Sequence, residues 1–220
     1  MIEIKNFSKS YSRNTVYENF NLTLNDGEIT CILGESGSGK TTLLNAIAKL
    51  TEYGGSITNV KCSYIFQQPR LVPNLTVRGN LRLVCKDENK IFQMLEKVGL
   101  SDKAESYPVQ LSGGQAQRVS VARAFLYAGD VILMDEPFSS LDLKLKKRIM
   151  DLFFEIWGSD ERTAVFVTHD VDEAVCIAKR ILVLDRGRII YDKTANDSPP
   201  RGYGEAEALR KELVSVLLGR

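Results

Sequence analysis

The run from Gly34 to Thr41 restricts what this chain can become more than any other part of its sequence. It reads Gly34, Glu35, Ser36, Gly37, Ser38, Gly39, Lys40, Thr41, the spacing G-x-x-x-x-G-K-[ST], with Thr42 next. Three glycines let the backbone wrap closely and aim N–H groups at phosphate oxygens, while Lys40 reaches the β- and γ-phosphates and the Thr41 hydroxyl can ligate Mg²⁺. The flanks have the required form. Glu28 to Leu33 reads as a buried strand, and Thr41 to Leu50 as a helix whose positive end faces the loop.

The rest of the chain extends this into an α/β pattern. Ile2, Ile4, Leu22 and Leu24 alternate with polar residues and Asn25, Asp26, Gly27 supply a hairpin turn, so short antiparallel strands are expected there. A further strand is expected over Lys61–Phe66. From Thr76 to about Ser106 the pattern turns helical, with Thr76 as N-cap and Ile91, Met94, Leu95 and Val98 on one buried face. Another helix is expected over Ala116–Tyr127. The apolar runs Val131–Met134 and Thr163–Thr168 lack alternation and are separated by helices, as in parallel strands buried on both faces. A link from Ser198 to Gly202 precedes a last amphipathic helix, about 203–218, carrying Leu209, Leu213, Val216 and Leu217. The expected fold is a P-loop NTPase core, a parallel sheet flanked by helices, with an N-terminal antiparallel β subdomain and a helical subdomain (about 70–128) inserted in one domain, 1–220.

Composition narrows the function. Lys+Arg 29 against Asp+Glu 28 gives a net charge of +1, so no global basic field points to nucleic acid as a partner. No stretch approaches the ~20 apolar residues that span a bilayer, and the start lacks a signal-peptide pattern, so any membrane link is expected through another chain. Cys31, Cys62, Cys85 and Cys176 are scattered without a metal-ligand spacing, as expected of reduced thiols in a cytoplasm.

Three further segments carry chemistry. Val131–Met134 runs into Asp135 and Glu136, placing two acids at the carboxyl edge of a sheet, where Asp135 can hold Mg²⁺ and Glu136 can act as general base on water. His169, the only histidine in the chain, follows Thr163–Thr168 and emerges at the same edge. Leu111, Ser112, Gly113, Gly114, Gln115 puts a hydroxyl and paired glycines at a helix start, a second anion-binding terminus in one chain. A polar helix cap explains Ser112 but not the glycines with Gln115.

In this order the motifs resemble the nucleotide-binding subunits of ABC transporters, from about Ile2 to Tyr191. The resemblance implies ATP and Mg²⁺ as ligands and ATP hydrolysis as the activity, with Lys40, Gln67, Glu136 and His169 in the chemistry. It implies that Gln67, or Gln68 if the register is off by one, matches the Q-loop glutamine that contacts Mg²⁺ and the attacking water. His169 matches the switch histidine at the γ-phosphate, Ser139–Asp142 the D-loop, and Tyr11 the aromatic stacked on adenine, with Tyr17 as its neighbour and rival. Ser112, Gly113, Gly114 and Gln115 would cover the ATP held by a second copy, so an ATP-dependent dimer is implied. The remaining implied partners are transmembrane permease subunits and an extracytoplasmic solute-binding protein, which places the chain at the cytoplasmic face of the membrane.

Phe138, Ser139, Ser140 after the acids, with the tail Arg201–Leu218, resemble importer subunits of the nitrate/sulfonate/taurine group. That group often has Leu-Pro-Trp after the Q-loop, where this chain has Val72, Pro73, Asn74. Leu71, Val72 and Leu75 mark the stretch 70–80 as the expected permease-docking surface. An exporter-type subunit is one alternative. A soluble ABC ATPase of DNA repair is another, but only Lys49–Gln110 separates loop and signature, without sustained heptads for a coiled coil. A translation-factor type would need two cassettes, and a P-loop kinase has no use for Leu111–Gln115.

Overall fold

The computed structural model describes every residue except Arg13, Ser140, Ser198, Tyr203, Gly204, Glu205 and Arg220. In chain order the strands are β1 (Ile2–Tyr11), β2 (Asn14–Leu24), β3 (Ile29–Leu33), β4 (Gly54–Ile57), β5 (Cys62–Ile65), β6 (Val131–Asp135), β7 (Thr163–Thr168), β8 (Arg180–Asp185) and β9 (Arg188–Thr194). The helices are α1 (Lys40–Ile47), α2 (Val77–Arg82), α3 (Glu88–Lys97), α4 (Gly113–Leu126), α5 (Leu143–Trp157), α6 (Val171–Ile177) and α7 (Glu207–Leu217).

Six strands form one sheet in the order β5-β6-β7-β3-β8-β9, parallel throughout except for antiparallel β9 at the edge. The continuous apolar runs of its central strands are explained by burial on two faces. Cys31, Leu33, Ile132, Met134, Ala164, Phe166, Ile181 and Val183 pack on one side, with α2 to α7. Ile32, Val131, Leu133, Val165, Val167, Leu182 and Leu184 pack on the other, with α1, β1 and β2. Each such side chain contributes roughly 1.5–3 kcal/mol on burial, so the register of these strands is strongly fixed.

That register positions the site. β5, β6, β7 and β3 are adjacent and parallel, so Gln67, Asp135, His169 and Gly34 all leave the sheet at one carboxyl edge, the edge where open α/β sheets bind ligands.

The N-terminal strands form a separate antiparallel sheet, β2-β1-β4. Here the expected hairpin at Asn25–Gly27 is corrected. The β1/β2 ribbon pairs up to Tyr11 opposite Asn14, at the far end from Asn25. Asn25–Gly27 instead carries the chain from one sheet to the other, because β3 finds its partners in β7 and β8.

Between β5 and β6 the chain is helical but broken. The expected pattern over 76–106 resolves into α2 and α3 with a single turn at Ser101–Lys103. Thr76 caps α2, its side chain accepting from the Gly79 N–H, and Asp87 caps α3. Ile91, Leu95 and Val98 are buried as their spacing predicts, while Met94 is half-buried. The helix expected over Ala116–Tyr127 starts earlier, at Gly113, because Ser112 caps it. Leu71, Val72 and Leu75 are half-buried. Fully buried Asn80 pins their loop, accepting from Val72 N–H at 2.7 Å and donating to the Leu75 carbonyl at 3.2 Å. Part of the stretch expected as the last helix (203–205) lies outside the described residues. α7 buries Leu213 and ties back through Arg210 to Asp172 of α6 at 2.7 Å.

The two sheets approach closely at Gly187, in the β8–β9 turn. Its φ is +73°, and a Cβ there would lie 2.1 Å from the Val16 carbonyl oxygen of β2. Gly187→Ala should therefore cost about 2 kcal/mol or more, from the left-handed backbone plus the forced shift of β2. Urea unfolding should show a lower midpoint at an unchanged slope.

Candidate functional site

The loop after β3 is shaped by its glycines. Gly37 and Gly39 have φ of +84° and +108°, and a Cβ on Gly34 would meet the Leu184 carbonyl oxygen at 2.3 Å. The loop is braced from outside: Gly187 N–H donates to the Ser38 carbonyl (3.2 Å) and the Tyr17 hydroxyl to the Gly39 carbonyl (3.0 Å). The Lys40 ammonium turns back into the loop, donating to the carbonyls of Gly34 (2.7 Å) and Glu35 (2.8 Å). Burial lowers its pKa, and the nearby carboxylates of Glu136 and Asp135 work against that. The Ser38 hydroxyl is buried and finds no hydrogen-bond partner among the described residues.

Opposite the loop stands the end of β6. The Thr41 hydroxyl donates to Asp135 Oδ1 at 2.9 Å, joining residues 94 apart in sequence. Burial raises the Asp135 carboxyl above its ordinary value; the Thr41 bond opposes this, and the Glu136 charge adds to it. Glu136 has a positive φ of 43°, uncommon for a non-glycine residue, and its N–H donates to the Val167 carbonyl at 3.0 Å. Its Oε2 lies 3.1 Å from His169 Nδ1.

A cleft of about 440 Å³ gathers Tyr11, Ser36, Gly37, Gly39, Lys40, Thr41, Thr42, Gln67, Asp135 and Glu136. Gln67, rather than Gln68, lines it, with its amide donating to the Ser139 hydroxyl at 3.0 Å. Tyr11 is 47% exposed at the cleft, whereas Tyr17 is 1% exposed and packed on Phe7 and Phe20, which leaves no ring face for a ligand. Gly34, Glu35 and Ser38 belong to the loop but do not line the cleft; Gly34 and Glu35 contribute the carbonyls that hold Lys40. A hollow of about 530 Å³ near Met94 and Tyr127 is larger but lacks such a set, since Arg162 there is committed to backbone carbonyls and Asp160.

Ser112, Gly113, Gly114 and Gln115 do not join this cleft. Ser112 and Gln115 cap each other, the Ser112 N–H donating to Gln115 Oε1 at 2.8 Å and the Gln115 N–H to Ser112 Oγ at 3.3 Å. A Cβ on Gly114 would fall 2.6 Å from Leu145 of α5, while one on Gly113 meets nothing within 4 Å. Packing thus accounts for Gly114 but not for Gly113.

Tyr64 escaped sequence reading. Its hydroxyl donates to Asn45 Oδ1 (3.2 Å) and Asp135 Oδ2 (3.4 Å), and its ring stacks on Phe66 at 4.1 Å, next to Gln67. Its only signal is a strand position, and the pairing of β5 with β6 sets it opposite Leu133.

The chemistry available follows from these donors. Backbone amides and a lysine suit a polyphosphate, and the oxygens of Thr41, Asp135 and Gln67 suit a hard cation completed by phosphate and water, such as Mg²⁺. Among the described residues no group of three or more His, Cys, Asp and Glu could hold a metal by itself, and no helix is long and apolar enough to cross a membrane.

A fold, a phosphate loop and an acid strand of this kind define an ATP-hydrolysing cassette, and comparison with known proteins agrees. The family model described as ABC transporter matches residues 17–139. The aliphatic sulfonates import ATP-binding protein SsuB 1 of Paracoccus denitrificans (strain Pd 1222) is 40% identical over 225 residues, 98% of this chain and 93% of the relative. Its counterpart from Delftia acidovorans is 40% identical over 207 residues, 91% of this chain and 86% of the relative. Among solved structures, the dimeric bacterial ABC transporter cassette MJ0796 aligns with a TM-score of 0.78 at 32% identity, over 90% of this chain and 100% of that one. The same cassette in a post-hydrolysis state with ADP and Pi gives 0.78 at 31% identity, with the same coverage of both chains. The chain belongs to the ABC transporter family. Within it, it is an ATP-binding, ATP-hydrolysing subunit of the import type.

The electrostatics of Asp135 give a test. An acid whose folded pKa is raised binds its proton more tightly when folded than unfolded, so its ionisation removes stability as pH rises from the ordinary carboxylate range through the folded pKa. Asp135→Asn should therefore raise the unfolding midpoint of the nucleotide-free protein near pH 7 and lose that advantage at low pH, where the native acid is neutral too. Thermal melts at both pH values check this.

Proposed function

We propose that the cleft binds ATP with Mg²⁺ and hydrolyses it with the residues named above, in a dimer that drives uptake of an aliphatic sulfonate. The observation that carries the site assignment is the 2.9 Å bond from Thr41 to Asp135, which ties phosphate loop and acid strand into one unit. Lys40 and the loop amides hold the β- and γ-phosphates, and Tyr11 offers its exposed ring to adenine. Thr41, Asp135 and Gln67 hold Mg²⁺, which when bound offsets phosphate charge. Glu136 takes the proton of the attacking water as general base, and His169, 3.1 Å from it, contacts the γ-phosphate.

The signature residues stand apart from this cleft, so we assign them to the ATP of a second copy. Two ATP molecules then bridge two subunits, and loss of the γ-phosphate opens the pair. Permease subunits dock on the stretch 70–80, beside the Gln67 loop, at the cytoplasmic face of the membrane. An extracytoplasmic solute-binding protein completes the system. The solute class is supported by the names of relatives at 34–40% identity.

Glu136→Gln keeps the size of the side chain and removes its basicity. ATP should then bind and persist, so light scattering should give a monomer without nucleotide, a dimer with ATP and a monomer with ADP. An inactive variant that stays monomeric with ATP refutes the shared site. For the solute, membrane vesicles holding this subunit with its permease and binding protein should accumulate labelled ethanesulfonate only with ATP. Accumulation of nitrate instead would place the system elsewhere in its group.

A further inference from the structure

A charged cluster under the His169 loop belongs to none of the sequence motifs. Lys146 lies in the first turns of α5, and its Nζ is 2.7 Å from Asp170 Oδ2 and 2.6 Å from Glu173 Oε1. These groups are largely withdrawn from water: side-chain exposure is 13% for Lys146, 30% for Asp170 and 1% for Glu173. Asp170 and Thr168 are the two chain neighbours of His169, and both lead to the lysine. Asp170 Oδ1 accepts from the N–H groups of Asp172 (2.9 Å) and Glu173 (3.3 Å) at the start of α6, while Oδ2 takes Lys146. The Thr168 hydroxyl donates to Glu173 Oε2 at 2.6 Å and accepts from the Asp170 N–H at 3.0 Å.

The other end of the cluster reaches the acid loop. Lys146 N–H donates to the carbonyl of Asp142 (2.8 Å), which caps α5 and ends the segment that begins at Glu136. The connection from Glu136 through α5 to Lys146, then through Asp170 to His169, closes where His169 Nδ1 meets Glu136 Oε2 at 3.1 Å. Stability alone is a poor reason for such an arrangement. Replacing a buried ion pair by well-packed apolar groups is often neutral or stabilising, whereas removing one partner strands a buried charge. Fixed geometry is what such a group supplies, and a misplacement on the order of 1 Å near reacting atoms can cost ~10²-fold in rate.

We infer that Lys146 is a positioning residue for ATP hydrolysis, clamping Asp170 and Glu173 so that His169 is held against Glu136. The inference rests on the roles proposed above for His169 and Glu136 and adds a residue to them. Burial works to lower the Lys146 pKa, but the two carboxylates hold it above its ordinary value, so the lysine stays charged across the accessible pH range.

The test uses the full chain as wild type, K146M, K146R and the double variant K146M/E173Q, with turnover and KM for ATP measured for each. Because His169 is the only histidine, its Hε1 resonance reports its environment without nucleotide. K146M should lower kcat ~10- to 100-fold with KM changed less than about twofold, and should shift the His169 resonance. K146R should recover much of the turnover and return the resonance toward its wild-type position. The double variant, which no longer strands the buried Glu173 charge, should regain thermal stability but not kcat. Wild-type turnover in K146M, an unmoved His169 resonance, or a double variant that regains turnover along with stability would each overturn the inference. Failure of the underlying reading has a separate sign: Glu136→Gln would then hydrolyse ATP like wild type, whatever Lys146 does.

Discussion

The parallel pairing of β5, β6, β7 and β3 is the constraint on which the rest of the molecule depends. Asp135 lies opposite Val167, and Leu33 opposite Thr168, so the acid strand, the histidine loop and the phosphate loop end at one level. A slip of one residue in any of these strands would exchange its two core faces, moving side chains such as Phe166 and Val165 into each other's layer. The apolar core therefore enforces the alignment of polar groups that contribute little to stability themselves.

Those polar groups are held at a cost that the core offsets. Burial pushes the Lys40 ammonium down and the Asp135 carboxyl up, each away from its charged form, and Glu136 sits at a positive φ. Such departures cluster where strain and desolvation serve chemistry. Here the compensation is structural: the turn at Gly187 and the buried Tyr17 brace the loop from outside, and Thr41 ties it to the acid strand. Several second-layer groups, Tyr17, Tyr64 and Lys146 among them, spend their polar atoms on fixing a neighbour.

The segment Ser112–Gln115 shows how one sequence can satisfy two demands. Ser112 and Gln115 close a capping box that starts α4, and Gly114 makes room for Leu145, so local structure accounts for three of the four residues. Gly113, open on the side where a Cβ would project, has no such account within the chain. Under the proposal that this segment covers the ATP of a second copy, a phosphate reached by the bare backbone of Gly113 supplies the missing reason.

Much of this protein was legible in its sequence because the relevant signals are local. A glycine-rich loop between a buried strand and a helix, apolar runs that end in Asp135 and in His169, and the caps Thr76 and Ser112 all act through residues a few positions apart. What the tertiary structure decided depended on partners distant in the chain. The turn Asn25–Gly27 has hairpin chemistry yet joins two sheets, because β3 pairs with β7 and β8 more than a hundred residues later. Tyr11 and Tyr17 are equivalent as sequence, and only the packing of Phe7 and Phe20 buries one and leaves the other at the cleft. Lys146 reads as one more charge on an amphipathic helix until α6 brings Asp170 and Glu173 beneath it. Sequence pattern fixed which face of each element is apolar; which side chains meet across those faces was set by strand order and helix packing, whose contacts span separations that no local pattern encodes.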